Sequence, residues 1–305
     1  METEPLPRGL LLSFIICFLI SQQYKIMQFL SANSGYLSAV ASGSSSYMMY
    51  PFCGGEEIKR RPTNHSIAFL TVTGHRPGNG TFYFGMTLRA LQEANVPDSA
   101  MLVNNYSGEN NTELYSYLDR TNHSYVPEII TRPSQPLRPP FEFKAVGWSK
   151  SMLDTAAGDS AQRKKWRISQ SLDFLYVMKE GLRIFPETDW FVFLEDDAVC
   201  TRKNELIPTL LNYMNTGKGK GVSLIRLNKG HGMVAQMFHR SMLTDFVGYS
   251  TFRFHLVPID WLLILYLEQM GLKYERQPIL HLFQHKGELS SFADNEVRKV
   301  DKRIR

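Results

Sequence analysis

Glu195, Asp196 and Asp197 stand in a row behind the apolar run Trp190–Leu194, in the stretch WFVFLEDDAV. Three adjacent carboxylates repel one another. A hard divalent cation of the Mg or Mn type relieves that repulsion and keeps positions open for a diphosphate. A short apolar run bounded by breakers is a strand covered on both faces, and the ligands of an open α/β sheet gather beyond the carboxyl ends of its strands. On these residues alone, the alternative is a solvated acidic turn after an edge strand.

The elements that must position such a site follow from patterning. IAFLTVT at Ile67–Thr73 is a first buried strand, followed by the breaker-rich turn Gly74-His-Arg-Pro-Gly and a helix over Tyr83–Ala94. Met101–Val103 is a second strand, and Thr112–Leu118 a helix. Tyr125–Lys150, with five prolines, is an irregular loop. Gln162–Ile184 is a long helix with Ile168, Leu172, Leu175, Tyr176 and Met178 on a broad apolar face. Beyond the acidic strand come a helix at Leu206–Met214 and a strand at Val222–Leu227. A helix at Trp261–Met270, opened by Pro258 and Asp260, and a strand at Ile279–Phe283 complete the series. Strands alternating with helices make this an α/β fold on a mostly parallel sheet with helices on its faces. No internal repeat is evident.

Composition is that of a globular protein, 43% hydrophobic and 21% charged, and 305 residues suffice for a sizeable core. The 34 basic against 29 acidic residues give +5, with basic segments at Arg163–Arg167 and Arg298–Arg305. That balance suits an anionic small molecule or a membrane surface. Nucleic acid is disfavoured, because there is no recognition module and no basic stripe interleaved with aromatics. GLLLSFIICFLIS at residues 9–21 is an apolar block of thirteen, short for a span unless the helix runs on to Leu30. We read residues 1–8 as a cytoplasmic tail, 9–30 as a signal-anchor transmembrane helix and 31–64 as a Ser/Gly-rich stem; a cleaved signal peptide or a buried helix are the alternatives. Asn64, Asn79, Asn105, Asn110 and Asn122 each open an N-x-S/T acceptor for glycosylation, which places the chain beyond the anchor in the secretory lumen. Cys17 lies in the apolar block, leaving Cys53 and Cys200 as a possible pair. Residues 293–305 form a basic tail, and nothing in the sequence fixes an oligomeric state.

WRISQSLDF at Trp166–Phe174, FLEDDAV at Phe193–Val199, PIDWLL at Pro258–Leu263 and FQHKGELSS at Phe283–Ser291, in that order, resemble the N-acetylglucosaminyltransferase IV family of Golgi enzymes. The resemblance covers roughly residues 65–292. It implies a glycosyltransferase-A fold, a nucleotide-sugar-binding and Rossmann-like sheet. It also implies inverting, divalent-metal-dependent transfer of GlcNAc from UDP-GlcNAc to a mannose of an N-glycan, by a type II single-pass Golgi membrane protein with its catalytic domain in the lumen. Mn2+ is the expected ion. EDDAV and the final His-x-Gly-x-x-Ser-Ser pattern also resemble the GalNAc transferases that modify glycosylphosphatidylinositol anchors. A UDP-GalNAc-dependent enzyme acting on those glycans is therefore a second reading. A catalytically inactive luminal glycan-binding relative is a third.

The resemblance also implies residue roles. Asp197 is the direct metal ligand, with Asp196 and Glu195 near the ribose or sugar. His285 is a further ligand or touches the diphosphate; read alone, it is a hydrogen-bonded histidine at a strand end. Asp260 is the base that takes the acceptor proton, or a cap for the free amides of the helix it opens. Arg167 grips the diphosphate, and Gln170 and Asp173 line the nucleotide pocket, although Asp173 can equally pair with a neighbouring base. Thr73, Gly74 and Arg76 occupy the turn that holds uracil and ribose, where a glycine permits close approach. Trp261 is either an apolar platform under the acceptor sugar or part of the core.

Overall fold

The computed structural model of the chain describes residues 65–73, 83–105, 127–133, 158–216, 221–230 and 232–286. The expected anchor, stem and basic tail lie outside them. So do the helix expected at 112–118, Gly74, Arg76, Cys53, Asn64, Asn79, Asn110 and Asn122.

Six strands share one sheet: β1 (Ile67–Val72), β2 (Met101–Asn105), β3 (Glu128–Thr131), β4 (Trp190–Glu195), β6 (Leu224–Arg226) and β7 (Ala235–His239). Their order across it is β3-β2-β1-β4-β7-β6. β5 (Ala198–Cys200) and β8 (Phe283–His285) make a separate antiparallel ribbon. The helices are α1 (Tyr83–Glu93), α2 (Ala161–Ile184), α3 (Leu206–Asn215), α4 (Arg240–Thr251) and α5 (Ile259–Gln269).

The sheet is mixed. β3, β2, β1 and β4 run parallel, whereas β7 is antiparallel to β4 and β6 antiparallel to β7. Both faces of its centre are covered, which is why β1 and β4 read as unbroken apolar runs instead of alternating ones. The period of two still sorts the side chains: Ala68, Leu70, Phe191 and Phe193 join one core with α2, α4 and α5. Ile67, Phe69, Val192 and Leu194 join the other with α1 and α3. Thr71, wholly buried between apolar neighbours, donates its hydroxyl to the Leu194 carbonyl at 2.9 Å, so the two central strands are tied by a side chain as well as by their ladder.

Helix α2 begins where Ser160 Oγ accepts the Arg163 amide at 3.1 Å. It presses on β1 so closely that a Cβ at Gly181 would stand 2.6 Å from Leu70 Cδ2. Any larger residue there must displace a fully buried leucine.

Three expectations are corrected. The proline-rich segment 125–150, expected to be irregular, contributes β3, which pairs with β2 from Leu102↔Glu128 to Asn105↔Thr131. The strand expected at Ile279–Phe283 is shifted: Ile279 makes only an isolated bridge to Arg226, and the regular strand is Phe283–His285. The residues 235–251, for which the sequence suggested no element, carry β7 and α4. Among the described residues, no helix is long and apolar enough to cross a membrane.

Candidate active site

The chain leaves β1 to build β2 and β3 on one side, then returns through α2 to β4 on the other, so the strand order reverses between β1 and β4. Their last residues, Val72 and Glu195, are register partners. This is the topological switch point at which open α/β sheets place ligands, and the acidic triplet begins on it.

After β4 the backbone turns, and three of its groups are held. The Glu195 amide donates to the Val234 carbonyl at 3.0 Å, the Asp196 carbonyl accepts the Thr87 hydroxyl of α1 at 2.8 Å, and the Asp197 carbonyl accepts the Lys286 amide at 2.9 Å. The next residue, Ala198, is the register partner of His285 in the β5–β8 ribbon. That pairing brings a distant histidine onto the acids. His285 Nε2 lies 3.0 Å from Asp197 Oδ2 and 4.0 Å from Glu195 Oε2. One ligand atom from each of Glu195, Asp197 and His285 falls within 4.8 Å of the others. The Asp197 carboxylate is almost fully buried, at 1% exposure, while His285 and Glu195 keep 29% and 22%, so the cluster has a dry floor and an open mouth.

The donor set fits a divalent cation. In an octahedron of radius ~2.1 Å, neighbouring donors lie ~3.0 Å apart and opposite ones ~4.2 Å apart, close to the two distances at His285. Two carboxylates and one imidazole suit Mn2+ better than a soft-ligand metal, and three donors from the chain leave further positions for substrate oxygens. Asp196 is largely buried beside this set, with its carbonyl fixed on α1.

Asp260 is tied to this set through the loop that follows β6. It lies in the first turn of α5, and its Oδ1 accepts the Trp261 amide at 3.0 Å, so the capping role foreseen for it is real. Its other oxygen faces the loop between β6 and β7: a Cβ at Gly232 would stand 3.8 Å from Asp260 Oδ2. Gly232 has φ +97°, a conformation that disfavours side chains. Two residues on, the Val234 carbonyl holds the Glu195 amide. One short loop thus links the Glu195–Asp197–His285 cluster to Asp260. Trp261 is half-buried and packed against the core formed by α2, α4 and α5.

The other foreseen residues are dispersed around this centre. Arg167 is buried, with Nη1 on Asp159 Oδ2 at 2.5 Å and Nη2 on the Leu256 carbonyl at 3.5 Å. Burial pulls its pKa down, and the charges of Asp159 and Asp260 oppose that pull. Asp173 is wholly buried at the ends of β2 and β3, where it accepts from Arg132 Nε at 2.8 Å and Asn104 Nδ2 at 3.2 Å. Pairing with a neighbouring base, the alternative weighed for it, is therefore what its carboxylate does. Gln170 is half-buried on α2. Thr73 continues β1, its amide on the Asn104 carbonyl at 3.0 Å. Asn105 is the last residue of β2, opposite Thr131. Cys200 is a buried free thiol, raised in pKa by burial.

Sequence reasoning overlooked Asp159, Gly232, Gln236 and Tyr274. Asp159 sits two turns before Arg167, outside the spacing that signals a helical ion pair. Gln236 and Tyr274 reach the site by tertiary contacts alone.

The chain is similar to alpha-1,3-mannosyl-glycoprotein 4-beta-N-acetylglucosaminyltransferase A of Xenopus tropicalis, 27% identical over 166 residues that cover 49% of this chain and 30% of the relative. The human B enzyme of the same name is 27% identical over 200 residues, covering 59% of this chain and 32% of the relative. A mouse protein described as like these enzymes is 26% identical over 170 residues, covering 50% of this chain and 43% of its own length. The chain thus spans between 30% and 43% of the length of these curated relatives. No family model matches it. Among solved structures, a mannosyltransferase from Pyrobaculum calidifontis in complex with GDP-Man and Mn2+ overlaps 74% of this chain and 58% of its own, at 10% identity and a TM-score of 0.35. A putative nucleotide-diphospho-sugar transferase from Desulfovibrio desulfuricans overlaps 70% and 79%, at 9% identity and a TM-score of 0.39. Overlaps this loose establish no shared fold. The likeness to the N-acetylglucosaminyltransferase IV family that the motifs suggested is borne by sequence relatives of that name, over about half of this chain.

Proposed function

We propose that this chain is an inverting, metal-dependent glycosyltransferase of glycosyltransferase-A type. It moves GlcNAc from UDP-GlcNAc to a mannose of an N-glycan, in the Golgi lumen, anchored by residues 9–30 as a type II membrane protein. The observation that carries the reading is the convergence of Glu195, Asp197 and His285 at the switch point of the sheet, with Asp260 across one loop. The relatives' shared name, alpha-1,3-mannosyl-glycoprotein 4-beta-N-acetylglucosaminyltransferase, supports the sugar and the class of acceptor.

Asp197, His285 and Glu195 would hold a divalent ion such as Mn2+, which when bound stabilises negative charge on the departing diphosphate. Asp197, buried and fixed through its backbone to Lys286, keeps the donor set in place. The half-open mouth at Glu195 and His285 admits the diphosphate, and Thr73 follows β1 where the uridine of the donor would sit. Asp260, with one oxygen held by the Trp261 amide, uses the oxygen facing Gly232 to take the proton of the acceptor hydroxyl while the acceptor oxygen bonds to the sugar carbon from the side opposite the diphosphate, whose bond to that carbon breaks.

The test is Asp197→Ala in the full-length chain, assayed by mass spectrometry with several UDP-sugars and a mannose-rich glycan mixture. Transfer of GlcNAc should fall by roughly a hundredfold or more, together with metal-dependent UDP binding, at unchanged fold. Wild-type turnover by the variant overturns the metal assignment. Preference for UDP-GalNAc over UDP-GlcNAc would move the reading to the glycosylphosphatidylinositol-directed enzymes.

A further inference from the structure

Around the carbonyl of Gly232 lies a knot of buried groups that the reaction outlined above does not use. Gln236, wholly buried in the middle of β7, donates Nε2 to the Gly232 carbonyl at 2.7 Å and contacts the Tyr274 hydroxyl at 2.9 Å. The Tyr274 hydroxyl also reaches the Gly232 carbonyl, at 3.3 Å. The ring of Tyr274 is covered by the Arg226 guanidinium, 4.4 Å from its centroid, and Nη2 of that arginine donates to the carbonyls of Lys229 and Gly230 at 3.3 and 3.0 Å. Three side chains from β6, β7 and the turn after α5 thus seize three backbone carbonyls of one loop. A loop that merely connected two strands would not need this.

The loop's position gives the arrangement its meaning. Near its end, Gly232 packs against Asp260, where an added Cβ would stand 3.8 Å from Oδ2, and Val234 holds the Glu195 amide. The clamp bears on Gly232, so a shift there changes the space before Asp260, while the Val234 carbonyl stays on the Glu195 amide. Buried charge-assisted and amide hydrogen bonds are directional and costly to break, so a knot of them fixes distances that apolar packing alone would leave soft. Transfer requires a base and a metal centre held within about half an ångström of the productive spacing.

We propose that Gln236 and Tyr274 are positioning residues: by clamping the Gly232 carbonyl they hold residues 232–234 so that the gap between Asp260 and the Glu195–Asp197–His285 cluster suits one acceptor hydroxyl. The proposal rests on the reading of Asp260 as base and of the cluster as metal site. It also makes a claim about the loop that needs neither.

Tyr274→Phe in the full-length chain removes only the hydroxyl and keeps the ring under Arg226. Gln236→Met keeps the shape and removes the amide. For both, kcat for GlcNAc transfer from UDP-GlcNAc to a mannose-terminated N-glycan mixture should fall at least tenfold, with the donor KM and Mn2+-dependent UDP affinity within twofold of wild type. Hydrogen exchange of the 232–234 amides should quicken at least tenfold, while that of β1 and β4 stays unchanged. Asp260→Asn is run alongside. If Asp260→Asn is inactive and Tyr274→Phe keeps wild-type kcat, the positioning role is refuted while the base stands. If Asp260→Asn keeps wild-type turnover, the base assignment fails and the positioning role with it, and only the clamp on the loop is left for exchange to decide. Wild-type exchange of the loop in both clamp variants overturns the clamp whatever the activity, and an equal fall in kcat and donor affinity assigns the knot to general stability instead.

Discussion

Asp173→Ala should unfold this domain far more readily than it should weaken nucleotide binding. The carboxylate has no measurable exposure, and its partner Arg132 is 4% exposed, so both charges are out of water. Arg132 Nε holds one carboxylate oxygen at 2.8 Å, and the Asn104 amide holds the same oxygen at 3.2 Å. Two unit charges ~4 Å apart attract by ~4 kcal/mol at an effective dielectric of 20. Deleting the acid removes that attraction and leaves a guanidinium buried among the ends of β2 and β3, and breaking such pairs costs ~3–5 kcal/mol. For a domain of this size each kcal/mol lowers Tm by ~2–4 °C, so the melting point should drop by ~6–20 °C. Thermal and urea melts followed by circular dichroism read this directly. The double variant Arg132→Met, Asp173→Leu should recover most of the loss, because an apolar pair of similar volume leaves no charge stranded. A single variant that melts within about 2 °C of wild type yet loses UDP binding would refute the reasoning, and would return Asp173 to the nucleotide pocket.

Two further outcomes can be read without an acceptor. Mn2+ at a hundredfold excess over its Kd should stabilise the folded chain by ~2.7 kcal/mol, and this thermal shift should vanish in His285→Ala; a shift that survives places the ion elsewhere. Burial, with Glu180 nearby, pushes the Tyr176 hydroxyl up to about 12, against ~10 in an unfolded chain. Its proton is kept on folding, so the stability it contributes is whole below pH ~10 and falls as pH rises from there towards 12. Tyr176→Phe should flatten that alkaline decline in denaturant melts, and an unchanged slope would contradict it.

The chain is legible beforehand wherever its local signals are strong. β1 and β4 announce themselves because both faces are buried, and α2 because Ile168, Leu172, Leu175, Tyr176 and Met178 recur along it, all of them buried. β7 was hidden by Gln236: a polar residue in AQMFH breaks the apolar run, and only the knot at Gly232 explains its burial. α4 lacked a start signal, since its N-cap is His239, whose side chain accepts the Ser241 amide in place of the usual serine or aspartate. β3 is four residues between Pro127 and Pro133, strand-forming only because β2 offers it a ladder. The acids of the site were legible as a triplet. That His285 joins them depended on a pairing with β5 that no local pattern encodes.

The antiparallel half of the sheet explains why one edge collects the whole site. Had β6 and β7 continued the parallel order, each would have needed a helical crossover, and the connection between them would have ended at the far edge. β7 instead runs against β4, so its first residue, Ala235, pairs with Leu194 at the end of β4. β6 runs against β7 and therefore along β4, and its carboxyl end arrives at the same edge. Residues 232–234, between them, then lie beside Glu195 and within reach of Asp260 in the first turn of α5. The ribbon of β5 and β8 closes the arrangement in a register-dependent way. Ala198 opposes His285, and because side chains alternate from face to face, a slip of one residue would bring Gln284 or Lys286 to that place and turn the imidazole away from Asp197. The Asp197 carbonyl, bonded to the Lys286 amide, resists that slip at the residue that needs the histidine.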